Sequence, residues 1–326
     1  MAKKHKKGGR KNSHLHDRFF LTLFSKPDNA RDFLRAQLPE PVANAIEFDS
    51  LRLSDTAHQD EHRTKIYADL SFSVRLRSGT PAEIYILLEH KSTPEPHLFV
   101  QLLSYMVAMW REDMRQKRPY RVIIPLVFYH GRAKWKLSRS FRETFVVEDA
   151  IRPFMPELRY TLFDTAEWSD SEEERACFAE NVELLAGISA FKAVFSPHRE
   201  RQFSTLLRYL HTHGMFTPAN NTLILVFEYL VTAWQLDETA FERLIEKSDI
   251  PKEEVMPTAL EVWEERGWKR GVQEGLQQGI QQGMQQGSQQ EKLAVARRML
   301  AEGLSVAVVA RVTGLSVEEI QSLSSD

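Results

Sequence analysis

Two alternating runs most constrain what this chain can fold into: Ile66-Tyr67-Ala68-Asp69-Leu70-Ser71-Phe72-Ser73-Val74 and Leu87-Leu88-Glu89-His90-Lys91. Side chains two apart on a strand point to one face. A strand over the first run therefore gathers Ile66, Ala68, Leu70, Phe72 and Val74 on one side and leaves Asp69 with Tyr67, Ser71 and Ser73 on the other. In the second run the same rule sets Glu89 beside Lys91 and turns His90 away. Two carboxylates on neighbouring strands suit a hard cation, and a lysine beside them orients or activates a water. Those groups together serve metal-assisted phosphodiester hydrolysis. Glu-x-Lys by itself is common in a chain of 326 residues, and a solvated strand end explains it without any chemistry.

The order of elements around the acids adds weight. Ile46 to Leu53 reads as a strand, Thr64 to Leu76 as a clearer one, and Ser78-Gly79-Thr80-Pro81 as a turn. Glu83 to Lys91 gives the next strand. Thr93-Pro94-Glu95-Pro96 then breaks the chain before an amphipathic helix from His97 to about Gln116, and Tyr120 to Tyr129 follows as a buried strand. With a helical N-terminal segment from His16 to Leu38, the order is α-β-β-β-α-β, an α/β class with the acids on the second and third strands.

That order, with those residues, resembles the core of the PD-(D/E)XK nuclease superfamily. A narrower match rests on His16-Asp17-Arg18-Phe19-Phe20, Tyr67-Ala68-Asp69-Leu70, Leu88-Glu89-His90-Lys91-Ser92 and Gln101-x-x-x-Tyr105, followed by a glycine-punctuated, Gln-rich C-terminal helix. Together they look like the recombination-promoting nuclease (Rpn) family, also described as transposases of the YhgA-like type. The core resemblance covers Ser13 to Tyr129. It implies a mixed sheet, Asp69, Glu89 and Lys91 as the catalytic set, and Gln101 as an accessory active-site residue. Tyr105 shares the helix face of Gln101, and Asp17 matches the acid of a first helix by position only. Asp69, Glu89 and the backbone carbonyl of His90 would ligate Mg²⁺ or another divalent cation. Lys91 would position or deprotonate the attacking water and offset transition-state charge, and Gln101 would orient water or phosphate. Ala68 stands where the superfamily motif has proline, and a strand interior keeps its N–H there. The transposase label rests on resemblance alone, because the chain shows no three-acid RNase-H-like layout.

A hydrophobic content of 42% over this length supports one sizeable core plus a helical extension. The formal charge of -2 hides an asymmetry: Lys3, Lys4, Lys6, Lys7, Arg10 and Lys11 crowd residues 1–11 with no acid. Such a tail, taken as disordered over residues 1–12, holds phosphates without reading sequence, or is merely a solubilising terminus. The single cysteine, Cys177, excludes an internal disulfide framework and a Cys-based zinc cluster. No apolar stretch reaches transmembrane length and the basic start lacks a signal-peptide core, so a cytoplasmic location is expected. Beyond Tyr129 helical patterns run from Asp170 to Ile188 with Ser171 as cap, Pro197 to His211, Asn220 to Gln235 and Asp237 to Glu246. His198, His211 and His213 have no metal-like partner set and read as surface or satisfied core residues.

From Gly267 to Gly287 a glycine falls at every fourth position, with Gln-rich spacers. Each costs a helix up to about 1 kcal/mol relative to alanine. A small-residue stripe with a four-residue step would let another helix approach closely, with a right-handed wrap; the alternative is a flexible linker. Lys292 to Ala301 reads as helix ended by Gly303. Ser305 to Val312, Thr313-Gly314-Leu315 and Ser316 to Leu323 then form a helix-turn-helix pattern, in which Ala310, Gly314 and Ile320 occupy the tight crossing. Its second helix is acidic and has no Arg or Lys, which favours an interaction module over a reader of base sequence. The organisation expected is a nuclease core over residues 13–165, a helical region packing on it over 166–250, a stalk or linker over 251–291 and a small helix-turn-helix-like module over 292–326. The function expected is a metal-dependent DNA endonuclease that promotes recombination and self-associates through Gly267–Gly287. The alternative is a non-catalytic DNA-binding or scaffold protein on a nuclease-like fold.

Overall fold

The computed structural model describes residues 6–54, 57–59, 65–67, 70–78, 84–168, 171–178, 180–217 and 220–323. At residues 6–13, 57–59, 65–67, 84–89, 172, 173, 265, 266, 269, 270, 273 and 274 the backbone alone is described. The chain divides into two compact units, Met1–Glu261 and Val262–Asp326.

In the first unit α1 (Lys6–Phe24) and α2 (Pro27–Gln37) replace the one N-terminal helix expected from His16 to Leu38. Pro27 is the cause. It lacks an N–H, pushes Lys26 into extended backbone, and sits at the first position of a new helix. The beginning of α1 at Lys6 also places residues 6–12, expected to be disordered, in helix. Once the amphipathic turns near Leu15 to Phe24 form, adding turns in front of them avoids the cost of nucleation. Then follow α3 (Glu40–Ala45) and β1 (Ile46–Leu53), whose Ile46 and Phe48 are buried and whose Glu47 and Asp49 are exposed.

The run expected as one strand from Thr64 to Leu76 divides. A small two-stranded sheet pairs β2 (Ala57–Gln59) with β3 (Lys65–Tyr67), whereas β4 (Leu70–Leu76) enters the main sheet. Period-two alternation reports faces and not partners, so the change of partner left no mark in the pattern. Asp69, between β3 and β4, lies outside the described residues. The main sheet has β4 antiparallel to β1 and to β5 (Ile84–Lys91). The helix α4 (Leu98–Arg115) then carries the chain to β6 (Val122–Tyr129), parallel to β5, and β7 (Thr161–Asp164) adds parallel to β6. A parallel neighbour requires such a crossover. Pro125 sits in β6 without cost to the far ladder, because β7 pairs only from Leu126 onward.

Helices cover both faces of this mixed sheet. On one, α4 packs Leu102, Tyr105, Met106 and Met109 against Ile123, Val127 and Tyr129. On the other, Phe20, Phe24 and Phe33 of α1 and α2 close on Phe128, with ring centroids 5.5, 5.4 and 5.7 Å apart. The region after β7 joins the same core. The helical pattern from Asp170 to Ile188 divides into α5 (Glu172–Ala176), capped by Ser171, and α6 (Val182–Phe195), where the Asn181 side chain accepts from Leu184 N–H and starts a new helix. It is followed by α7 (Arg199–Thr212), α8 (Asn221–Trp234) and α9 (Glu238–Glu246), the last two capped by Asn220 and Asp237. Phe191 of α6 meets Phe128 at 5.0 Å, and Tyr229 of α8 stacks on Phe19 at 3.9 Å.

A long helix, α10 (Lys252–Ala301), runs through all six glycines of the stripe. Within the second unit α11 (Val306–Thr313) and α12 (Val317–Leu323) close on Ala296 through Val309, Leu315 and Ile320. Gly314 makes the turn between them at φ +68°, a backbone that side chains resist.

Candidate active site

The ends of β5 and β6 are locked together: Lys91 pairs with Tyr129, and the His130 N–H donates to the Lys91 carbonyl at 2.7 Å. From that fixed backbone the half-buried Lys91 reaches α4, where its Nζ donates to Gln101 Oε1 at 2.8 Å. Gln101 Nε2 in turn donates to the Tyr105 hydroxyl at 2.5 Å. Tyr105 itself is buried in the α4 core, so the chain of contacts is rooted in packed side chains. Three of the expected residues, Lys91, Gln101 and Tyr105, are thus brought together. Gln101 is engaged by both neighbours, which makes it a holder of the lysine. Of Glu89, two residues earlier on β5, the backbone alone is described, opposite Val127. Among the described residues no three His, Cys, Asp or Glu side chains converge on a metal position.

The other face of the same strand end is different. Asp17 lies there, with Oδ1 3.0 Å from His90 Nδ1, so the structure places it away from Lys91. The His90 ring is buried, stacked 5.0 Å from Phe20 and tilted against Phe191 at 5.9 Å, with His130 6.0 Å away. His16 Nδ1 meets the Tyr229 hydroxyl at 2.9 Å, and that hydroxyl meets His130 Nε2 at 3.4 Å. Burial, then the charge of His90, pushes His16 down to about 4, with Asp17 opposing. Burial, then His90 and His16, holds His130 well below the ordinary histidine value, and burial raises Tyr229 well above that of tyrosine. This cluster of three histidines went unnoticed in the sequence, where only the adjacency of His16 to Asp17 and of His90 to Glu89 marks it. His198, His211 and His213 stand elsewhere: His211 pairs with Glu254 at 3.2 Å and His213 Nδ1 lies 2.8 Å from the Tyr209 carbonyl.

A further acid escaped the sequence reading. Asp164 ends β7 opposite Tyr129, and burial raises its carboxyl above the usual range although Ala166 N–H donates to Oδ1 at 2.9 Å. Its signal in the sequence is the short apolar run Tyr160-Thr161-Leu162-Phe163 that Asp164 ends.

Residues 14–213 match the family described as "Putative transposase, YhgA-like", and residues 289–325 match the C-terminal helix-turn-helix domain of the Rpn/YhgA-like nuclease family. The chain belongs to the Rpn/YhgA-like family. It is 26% identical to recombination-promoting nuclease RpnA of Escherichia coli K12 over 316 residues, which cover 95% of this chain and 97% of RpnA. It is 33% identical to RpnD of Escherichia coli O157:H7 over 118 residues, 36% of this chain and 45% of RpnD. A third relative, from Escherichia coli K12, is named the inactive recombination-promoting nuclease-like protein RpnE and is 26% identical over 94% of this chain and 96% of its own length. No solved structure matches.

In this Rpn/YhgA-like chain the helix-turn-helix has one of its acids, Glu319, occupied structurally. Ser316 Oγ accepts from Glu319 N–H at 3.2 Å while Glu319 Oε2 accepts from Ser316 N–H at 2.7 Å, a capping box that starts α12. Along α10 each of the first five glycines of the stripe precedes an apolar residue: Trp268, Val272, Leu276, Ile280 and Met284 all stand half or more exposed. Nothing lies within 4 Å of where a side chain at Gly275, Gly279 or Gly283 would begin. No described helix is long and apolar enough to cross a membrane.

Proposed function

We propose that the chain is a metal-dependent DNA endonuclease built on a PD-(D/E)XK-type core. The observation that carries the reading is the Lys91–Gln101–Tyr105 chain, which holds an ammonium group at 2.8 Å from a neutral partner at the end of a central strand. A lysine kept only for solubility has no need of such a brace. Strand alternation puts Glu89 on the face of Lys91, and Asp69 precedes the antiparallel neighbour strand β4 in sequence, so two carboxylates and the His90 carbonyl would supply all-oxygen donors of the kind that fits a hard divalent cation such as Mg²⁺. Such a cation, when bound, polarises a phosphoryl oxygen and acidifies water. Lys91 positions the attacking water and sets its positive charge against the charge that develops on the phosphate. Gln101 keeps the Lys91 Nζ aimed, and Tyr105 keeps Gln101 from turning. A lysine rotamer fixed before substrate arrives removes an ordering cost from the reaction itself. The names of RpnA and RpnD, recombination-promoting nucleases, support this reading.

A second reading, a DNA-binding scaffold without cleavage, draws support from the name of RpnE as inactive. Supercoiled plasmid separates them. The full chain should nick it with Mg²⁺ and not with EDTA, and Asp69→Ala and Lys91→Ala should each abolish nicking while leaving the melting temperature nearly unchanged. Full cleavage by both variants removes the site assignment. Plasmid that the wild-type chain binds but never cuts, with any divalent ion, leaves the scaffold.

A further inference from the structure

Arg132 and Arg199 line one cavity of about 450 Å³ in the first unit. Each guanidinium lies over an aromatic ring, Arg132 5.4 Å from Phe195 and Arg199 6.0 Å from Trp234. Stacking of this kind holds the planar group while leaving its N–H edge for a ligand. No carboxylate lines the cavity, and among the described residues neither arginine has an ion pair. The acid beside Arg199 in the first turn of α7, Glu200, is paired with Lys247 at 2.8 Å, so the two guanidiniums leave the cavity net positive. The His16 ring closes the inner wall, and its pKa near 4 leaves it uncharged at neutral pH.

The place of the cavity in the fold gives it a use. Arg132 follows Tyr129 by three residues, Tyr129 pairs with Lys91, and Gly131 packs so tightly on this turn that a Cβ there would lie 2.6 Å from the Ser92 carbonyl oxygen. The cavity therefore lies at the same carboxyl end of the parallel strands as Lys91, on the opposite, His90 face of the sheet. We propose that Arg132 and Arg199 form a second phosphate subsite, which grips a backbone phosphodiester of the nucleic acid away from the scissile bond. The inference rests on the nuclease reading for its ligand but needs no catalysis for its test. Phosphate accepts from two forked guanidiniums with little reorganisation, and such a contact anchors the strand while Lys91 addresses the bond to be cut.

The test is binding of a fluorescent duplex by the full chain in EDTA, followed by anisotropy across a salt series. Arg132→Gln with Arg199→Gln should flatten the log–log salt slope by nearly two, which corresponds to roughly 60-fold weaker binding at about 0.1 M salt. Lysines at both positions should restore the slope, because charge releases the counterions. An exposed control pair, Arg208→Gln with Arg243→Gln, should move it much less. A slope unchanged by the first pair, moved equally by the control pair, or not recovered by the lysines overturns the subsite, as does a wild-type chain that binds no duplex. A double variant that binds duplex normally but loses thermal stabilisation by pyrophosphate also overturns it in favour of a small anion. Failure to cut by a chain that passes the binding test would sink the nuclease reading alone.

Discussion

Acid should unfold the first unit earlier than its surface charges would, because of His16 and His130. Both rings are buried beside one another, with centroids 4.8 Å apart, and both have depressed pKa values in the folded chain. A depressed histidine favours the neutral form, so its stability is present above the unfolded pKa near 6.5 and is lost as pH falls below it. For His16 the window runs from 6.5 down to about 4. Each pH unit well inside it costs about 1.4 kcal/mol per proton, so moving from pH 7 to pH 5 removes about 2 kcal/mol through His16, and His130 acts in the same direction. A loss of about 2 kcal/mol or more is a large share of the stability of an ordinary domain. The assay is urea denaturation followed by tryptophan fluorescence between pH 7 and 4.5. Near pH 5.5 His16 alone should contribute a slope of about one proton. His16→Gln retains a hydrogen-bonding group for Tyr229 and should remove that proton from the slope. An unaltered slope in His16→Gln would show that the ring titrates in the folded chain as it does in solution, and the reasoning from burial would fail.

Three other outcomes are expected. Asp113 is buried and held by Arg121 at 2.8 Å and Arg118 at 3.3 Å; burial alone would raise its carboxyl, yet these partners keep it below the usual range, so Asp113→Asn should cost about 3–5 kcal/mol in urea denaturation, and a loss below about 1 would contradict the buried pair. Gly131→Ala pushes a methyl into the Ser92 carbonyl and the Tyr129 ring and should cost about 1–3 kcal/mol, whereas Gly287→Ala meets nothing within 4 Å and should gain up to about 1; equal stabilities would refute the close approach. Replacing Gly275, Gly279 and Gly283 with leucine raises helix propensity by up to about 1 kcal/mol each but blocks close contact between copies; lower mass in sedimentation supports a self-associating stalk, and more helix by circular dichroism at unchanged mass refutes it.

Local rules read much of this fold well. The prolines at 94 and 96 and the apolar stripe placed α4 within a residue of its ends, and Ser171, Asn220 and Asp237 all cap the helices expected to follow them. What failed depended on distance. His16 finds Tyr229 only because α8 folds back across 213 residues, and nothing near either residue announces the contact. The exchange of partners between β3 and β4 is equally silent, since either pairing satisfies the same alternation. The face shared by Gln101 and Tyr105 was legible from helical spacing, whereas the Lys91–Gln101 contact needed the crossover itself. In the stripe the glycines drew attention away from the apolar residue that follows each of the first five, although a four-residue step carries both along one side of α10.

The two faces of the β5 end depend on each other. Side chains alternate, so Lys91 cannot turn without turning His90, and His90 is held between Phe20 and Phe191 with its Nδ1 on Asp17. The parallel ladder to β6 and the His130–Lys91 hydrogen bond fix the same two residues from the backbone side. A strand end is ordinarily among the first parts of a sheet to fray. Here the aromatic packing on one face supplies the rigidity that a positioned lysine needs on the other, and the long side chain of Lys91 then loses its remaining freedom to Gln101. Buried imidazoles are a costly way to build that support, since apolar residues of similar volume in place of His16 and His130 would pack without the acid penalty. The Asp17–His90 and His16–Tyr229–His130 hydrogen bonds add direction that aliphatic packing lacks. The polar cluster thus trades stability below neutral pH for a strand end whose rotation is fixed.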